Sequence, residues 1–157
     1  MIIRNAERKD AAGVLNLLKQ VLELHADIRP DIFISGTTKY KEEELFEIFA
    51  DEKRRTYVAV DDADNVLGYA ICIIKEQPHG DNMVPFTSIY IDDLCVDNAA
   101  RGQHIGKALF EHVKKEAEML GCYEVTLNVW EGNDVAKAFY DKMGMKPIKT
   151  QMEFILK

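Results

Sequence analysis

Cysteine, proline and tryptophan are scarce in this 157-residue sequence, at three, four and one. The cysteines have no Cys-x-x-Cys spacing, which excludes a disulfide scaffold or a cysteine-rich zinc centre. Cys72, Cys95 and Cys122 sit in apolar, strand-like runs and read as reduced, buried thiols. Histidine is also short of pattern. His25, His79, His104 and His112 show neither His-Glu-x-x-His nor Cys/His ligand spacing, so no metal is expected. No run approaches the roughly 18 apolar residues that cross a bilayer, and residues 1–5 lack the apolar segment and cleavage site of a signal peptide. A cytoplasmic protein without membrane contact is expected. Positive charge is in deficit: 20 Lys+Arg against 27 Asp+Glu leave −7. The longest basic run, Lys53-Arg54-Arg55, reads as a solvated turn, so a nucleic-acid surface is not expected. An acidic body tolerates cationic small molecules or basic peptides instead.

What is present is 47% hydrophobic and 30% charged, the composition of one globular domain spanning residues 1–157. A chain this long can remove roughly 68–70% of its unfolded surface from water, enough for a core without staples. A short strand at 1–5 precedes a helical stripe of Val14, Leu15, Leu18, Val21 and Leu22, with His25 at its core edge. Pro30 and Gly36 break residues 26–40 into an irregular stretch able to line a cleft, and a short amphipathic helix follows at 41–49. Residues 56–60 and 66–74 form a hairpin around an acidic turn. A polar loop at 76–85 leads to a strand at 88–96. Next come a helix at 104–120 stopped by Gly121, a strand at 123–129, a helix at 134–143 stopped by Gly144, and a final strand near Met152 to Leu156. Meander and crossover connections mix in one sheet, which predicts an α/β (mixed α+β) three-layer sandwich.

The chemistry is concentrated where the strand holding Leu94, Cys95 and Val96 turns into the next helix through Arg101-Gly102-Gln103-His104-Ile105-Gly106-Lys107. Consecutive backbone N–H groups at such a turn, joined to the unpaired donors of a helix start, bind phosphate oxygens. Arg101 and Lys107 either add charge or stay solvated. A Walker A loop is excluded, because Arg101 stands where its first glycine belongs and Ala108 follows Lys107. Gly-x-Gly-x-x-Gly is also missing, so NAD and FAD are not expected.

The run from Arg101 to Leu109 resembles the Arg/Gln-x-x-Gly-x-Gly/Ala pyrophosphate motif of the GNAT superfamily of N-acetyltransferases. Asn133, Ala136, Phe139, Tyr140 and Gly144 are similar to that family's closing Asn-x-x-Ala-x-x-Phe-Tyr-x-x-x-Gly segment. The resemblance implies a GNAT-like αβα sandwich with a central mixed, mostly antiparallel sheet, and acetyl-CoA as co-substrate. It places the diphosphate on residues 101–107 and the pantetheine arm along Leu94, Cys95 and Val96, whose side chains read equally as core. One departure is His104, which stands at the family's first glycine. Its ring either turns outward, the orientation expected, or lies beside the phosphates, and weaker cofactor binding is expected than with glycine.

The resemblance further implies Tyr140 as general acid, though a helix tyrosine flanking the core is the alternative. Asp92 and Asp93 are adjacent in a strand, so their side chains should face opposite ways. Counting back from Val96 puts Asp92 on the Leu94 and Val96 face unless a bulge intervenes, and it is assigned as base or ammonium anchor, with Asp93 the fallback. The acid pair resembles that of polyamine acetyltransferases in this superfamily and implies a small cationic amine substrate. Asn133 reads as a cofactor contact or as a helix cap, and Glu131 as solvent-facing. Asn128 stands where peptide N-terminal acetyltransferases often carry glutamate, which lowers that class. A non-catalytic acyl-CoA sensor is a further alternative. A sheet edge would support a homodimer.

Overall fold

Residues 56–60 and 66–74 are near-continuous apolar runs, so the two strands they form are buried on both faces, and the rest of the sheet is built out from that pair. The computed structural model describes residues 1–77 and 80–157. His79 and part of the expected loop at 76–85 lie outside the described residues. The strands are β1 (Ile2–Asn5), β2 (Arg54–Val60), β3 (Val66–Glu76), β4 (Thr87–Val96) and β5 (Glu124–Leu127). The helices are α1 (Ala11–Ile28), α2 (Glu42–Ala50), α3 (Ile105–Met119) and α4 (Asp134–Lys142). The sheet order is β1-β2-β3-β4-β5. All neighbours pair antiparallel except β4 and β5, which run parallel. The mixed, mostly antiparallel sheet is as expected.

Two apolar clusters separate the layers. Val14, Leu17 and Leu18 of α1 and Leu45 and Ile48 of α2 pack on Val58, Tyr69, Ile71 and Cys95. On the opposite face Ile105, Leu109, Phe110 and Val113 of α3 meet Tyr57, Ala70, Cys72, Ile89 and Ile91, with Phe139 and Tyr140 of α4 at the margin. Each fully buried leucine here contributes about 1.5–3 kcal/mol of transfer free energy. Among the described residues, no helix is long and apolar enough to cross a membrane.

Three elements differ from the sequence reading. α1 continues past His25 to Ile28, stopping where the Arg29 N–H bonds the His25 carbonyl at 2.8 Å. β5 is shorter than 123–129, because its pairing with β4 stops at Ile91↔Leu127. The strand expected near Met152 to Leu156 does not form within this chain: residues 146–157 are exposed and belong to no ladder. Glu153 instead accepts hydrogen bonds from Arg29, which draws this arm toward the end of α1 and away from the sheet.

Candidate active site

A bulge in β4 organises the site. Ile71 pairs with Asp93 and Cys72 with Ile91, leaving Asp92 as the extra residue. An inserted residue reverses the alternation that follows it. Leu94 and Val96 therefore face the α3 cluster, while both Asp92 and Asp93 face the α1 and α2 layer. The expectation that the acids oppose each other, with Asp92 on the Leu94 and Val96 face, is thus corrected, and the cause is the bulge. The Tyr69 hydroxyl donates to Asp93 Oδ2 at 3.0 Å. Burial pushes the Asp93 carboxyl up to about 6, against the opposing pull of Lys39 and the Tyr69 bond.

The irregular segment between α1 and α2 supplies the partners of Asp92. Lys39 Nζ lies 3.0 Å from Asp92 Oδ2, and the Tyr40 hydroxyl donates to the same oxygen at 2.6 Å. Burial works against the Lys39 charge, yet its hydrogen bond and attraction to Asp92 prevail and raise its pKa. Burial, then the bond to Asp92, raises that of Tyr40. Tyr40 also lines a cavity of about 210 Å³ with Glu44, Glu47, Ile48, Asp51 and Arg54. Sequence reasoning placed a cleft lining at 26–40 but did not single out Lys39, Tyr40 or Tyr69. Lysine and tyrosine in an irregular stretch carry no spacing signal.

Beyond Ile91 the two parallel strands part, so β4 from Asp92 to Val96 has no ladder partner on the β5 side. The chain then bends into α3. Gly102 has φ +81°, and His104, the N-cap, is left-handed at φ 61° and ψ 21°. This is the backbone conformation for which glycine is the default residue, and histidine occupies it with its side chain exposed. The first helical bond of α3 runs from the Ala108 N–H to the His104 carbonyl, so the N–H groups of Ile105, Gly106 and Lys107 have no partner within the helix. Arg101, Gln103 and Lys107 are exposed around them. A turn of free donors at a positive helix end, next to an unpaired strand edge, suits a diphosphate followed by an amide-bearing arm.

Tyr140 packs on Phe139 at 5.0 Å between ring centroids, with Phe110 at 6.4 Å. Burial first, then the nearby Asp93 charge, holds its phenol well above the usual range, so it keeps its proton at neutral pH. Asn133 caps α4, its Oδ1 accepting from the Ala136 N–H at 3.2 Å. Glu131 pairs with Lys137 in solvent. Asn128 donates to the Tyr90 hydroxyl at 3.1 Å. The Cys72 and Cys95 thiols are pushed up to about 12 by burial, which leaves them protonated rather than nucleophilic. Among the described residues, no group of His, Cys, Asp and Glu is placed to hold a metal ion.

Residues 18–145 match the acetyltransferase (GNAT) family. A peptidyl-lysine N-acetyltransferase, YjaB of Salmonella typhimurium, is 35% identical over 144 residues, covering 92% of this chain and 82% of its own. The crystal structure of a point mutant of the BH1408 protein from Bacillus halodurans is 34% identical and superposes with a TM-score of 0.96 over 100% of both chains. An aminoglycoside N-acetyltransferase solved in complex with CoA, 15% identical, shares the fold with a TM-score of 0.72 over 99% of each chain.

Proposed function

The chain belongs to the GNAT acetyltransferase family, an enzyme family that uses acetyl-CoA, and from that premise we propose that residues 1–157 act as one domain acetylating a primary amine on a small, polyamine-like cation. The observation carrying this reading is the Lys39 ammonium on Asp92, at the oxygen that also accepts the Tyr40 hydroxyl, because a primary ammonium of this chain already pairs with one of the two acids a substrate would need. The cavity that shares Tyr40 supports it, since Asp51 pairs with the cavity's Arg54 while Glu44 and Glu47 remain to receive a second positive charge.

Acetyl-CoA supplies the acetyl group as an activated thioester. The N–H groups of Ile105, Gly106 and Lys107, with Gly102, Gln103 and His104 in the bend, would hold its diphosphate, aided by Arg101 and Lys107. The free backbone of Leu94, Cys95 and Val96 would hold its arm. In this reading Asn133 serves the site indirectly, by capping the helix that carries Tyr140. Asp92 anchors the incoming ammonium. Asp93 was the fallback base, and the bulge that turns it to the same side, with its carboxyl raised to about 6, supports assigning it the proton from that ammonium. Tyr140 keeps a proton on its phenolic oxygen, available to a departing sulfur.

Likeness to YjaB favours one second reading, acetylation of lysine side chains in peptides, whose ε-ammonium has the chemistry of Lys39. A thiol-release screen with acetyl-CoA and purified chain would compare diamines and triamines, aminoglycosides, and lysine-bearing peptides. Diamine turnover exceeding peptide turnover supports the first reading, the reverse order the second, and binding of CoA without amine-dependent release a sensor.

A further inference from the structure

Lys39 is a primary amine of the chain held where the substrate amine is proposed to sit. Its Nζ lies 3.0 Å from Asp92 Oδ2 and 3.5 Å from the Asp92 carbonyl oxygen. Asp92 is the bulge residue of β4, and the last pair that β4 makes with β5 is Ile91↔Leu127. The ammonium therefore stands at the head of the unpaired stretch from Asp92 to Val96, which is proposed to hold the acetyl-CoA arm. Among the described residues, no other lysine pairs with Asp92 or Asp93: Lys9, Lys114 and Lys137 have their partners elsewhere.

The groups that would serve a substrate amine also surround this one. Asp93 faces the same layer as Asp92, close enough for its charge to act on Lys39, and the Lys39 charge acts back on the Asp93 carboxyl. The same carboxylate acts on the Tyr140 phenol. Amine, base and acid form one connected set. Lys39 is not locked in its ion pair, because its side chain is 43% exposed on a flexible stem. Its backbone is fixed through the next residue, Tyr40, whose hydroxyl binds Asp92 at 2.6 Å and whose carbonyl accepts from Thr38 at 2.8 Å. A reacting group tethered in this way has an effective concentration far above that of a dissolved amine, about 10⁵–10⁸ M for well-oriented pairs.

We infer that Lys39 is a self-acetylation site, and that its acetylation clears Asp92 for the amine substrate. The inference rests on the proposed acetyl-transfer site. In the step, Nζ gives one proton to the Asp93 carboxylate and forms an N–C bond to the acetyl carbon of the thioester. The C–S bond breaks, the departing sulfur takes the Tyr140 proton, and the second nitrogen proton restores the phenol. The products are a neutral Nε-acetyl-lysine and the free CoA thiol, with one proton left on Asp93. An acetylated lysine has no charge to set against Asp92. Pairing with Asp92 keeps Nζ protonated, so the step is slow beside turnover of a substrate and runs when acetyl-CoA is present without an amine.

Intact-mass and peptide mass spectrometry of the purified chain, incubated with acetyl-CoA and no amine, test it. The expected result is a single acetyl group on Lys39, gained with a rate constant that does not change when the chain is diluted, as a reaction within one copy demands. Tyr140→Phe should slow the labelling by about 10²-fold or more, and Asp93→Asn is the second control should the first variant not fold. A readout without acetyl-CoA follows the consequence. Chain carrying Nε-acetyl-lysine at position 39, installed during synthesis, should bind a diamine about two- to five-fold more tightly in calorimetry than unmodified chain, the effect of removing a partly exposed ion pair. Turnover of a diamine by chain whose Lys39 stays unmodified in acetyl-CoA alone would overturn the inference and leave the site standing, whereas failure to bind CoA would overturn both. Labelling that is equal in wild type and Tyr140→Phe, or whose rate constant scales with chain concentration, would overturn the inference too, as would a diamine affinity unchanged by the modification.

Discussion

Lys39 places its Nζ 3.0 Å from the Asp92 oxygen that also accepts the Tyr40 hydroxyl. A cationic substrate seeking Asp92 competes with this internal ammonium. Lys39 is 43% exposed and Asp92 13%, so the pair is only partly desolvated and its displacement is cheap. Lys39→Met should lower KM for a cationic amine by about two- to five-fold with kcat little changed, the size of a partly exposed ion pair. Asp92→Asn should raise KM at least ten-fold, since a hydrogen bond to a charged group is worth about 1.5–3 kcal/mol. Steady-state kinetics with a diamine and a neutral-tailed amine check both. Equal effects on the two amines would remove Asp92 as an anchor for charge.

The Asp93 carboxyl gives a pH dependence with opposite signs for activity and stability. A base must be ionised, so kcat/KM should rise with pH through about 6 and then level. Folding favours the protonated form, because the folded value lies above the ordinary 3.8. The contribution of this group to stability is therefore full below that ordinary value and is lost as pH rises through about 6. Asp93→Asn should abolish the rising limb, and Tyr69→Phe, which removes a donor to the ionised form, should move it to higher pH. A pH-rate profile of the three proteins decides, and an unchanged limb in Asp93→Asn excludes this residue as the base.

Tyr140→Phe keeps the ring against Phe139 and Phe110 but deletes the phenolic proton. Turnover should fall by about 10²–10⁴-fold, the range for a lost general acid, with the Kd for CoA within about two-fold. Single-turnover acetyl transfer and calorimetry separate the two effects. A Kd that weakens in step with turnover would make Tyr140 a packing residue.

His104 holds a left-handed backbone at φ 61°. For a residue with a Cβ this costs about 1–2 kcal/mol, and glycine gives back about 0.5–1 kcal/mol in unfolded-state entropy. His104→Gly should therefore stabilise the chain by up to about 1.5 kcal/mol in denaturant unfolding, the difference of those two costs. The ring is exposed and the neighbouring N–H groups already point free, so the Kd for CoA should tighten by no more than about three-fold, less than the strain removed. Calorimetry at pH 6 and pH 8 checks this. An affinity that weakens on substitution, more at pH 6, would show that the imidazole contacts phosphate.

Much of this was legible in the sequence because local pattern and tertiary environment agree. The stripe of Ile105, Leu109 and Val113 and the stops at Gly121 and Gly144 set α3 and α4 to within a residue or two. The orientation of Asp92 was not legible, because a bulge depends on register against β3 and leaves no mark in composition. Lys39 escaped notice for a related reason: its meaning comes from Asp92, across the fold. The final strand failed differently. Its alternation is real, yet residues 146–157 lie exposed and outside the sheet, because alternation alone does not supply a strand to pair with.

Gly68 ties the fold to the cofactor bend. It sits in β3 opposite Val96, and an added Cβ would meet the Cys95 carbonyl oxygen at 3.0 Å, Leu109 Cδ1 at 3.1 Å and Ile105 Cγ2 at 3.3 Å. The carbonyl is fixed in the sheet, so relief must come from α3 moving outward at its first turn. That turn carries the free N–H groups proposed to hold the diphosphate. Gly68→Ala should cost about 1–3 kcal/mol, the usual range for overpacking, and should also weaken CoA binding, while Gly106→Ala, whose nearest neighbour is Phe139 Cζ at 3.4 Å, should keep its stability. Denaturant unfolding alongside calorimetry reads both quantities. Loss of stability with unchanged CoA affinity would mean that the sheet yields instead of the helix, and that the bend binds nothing sensitive to its position.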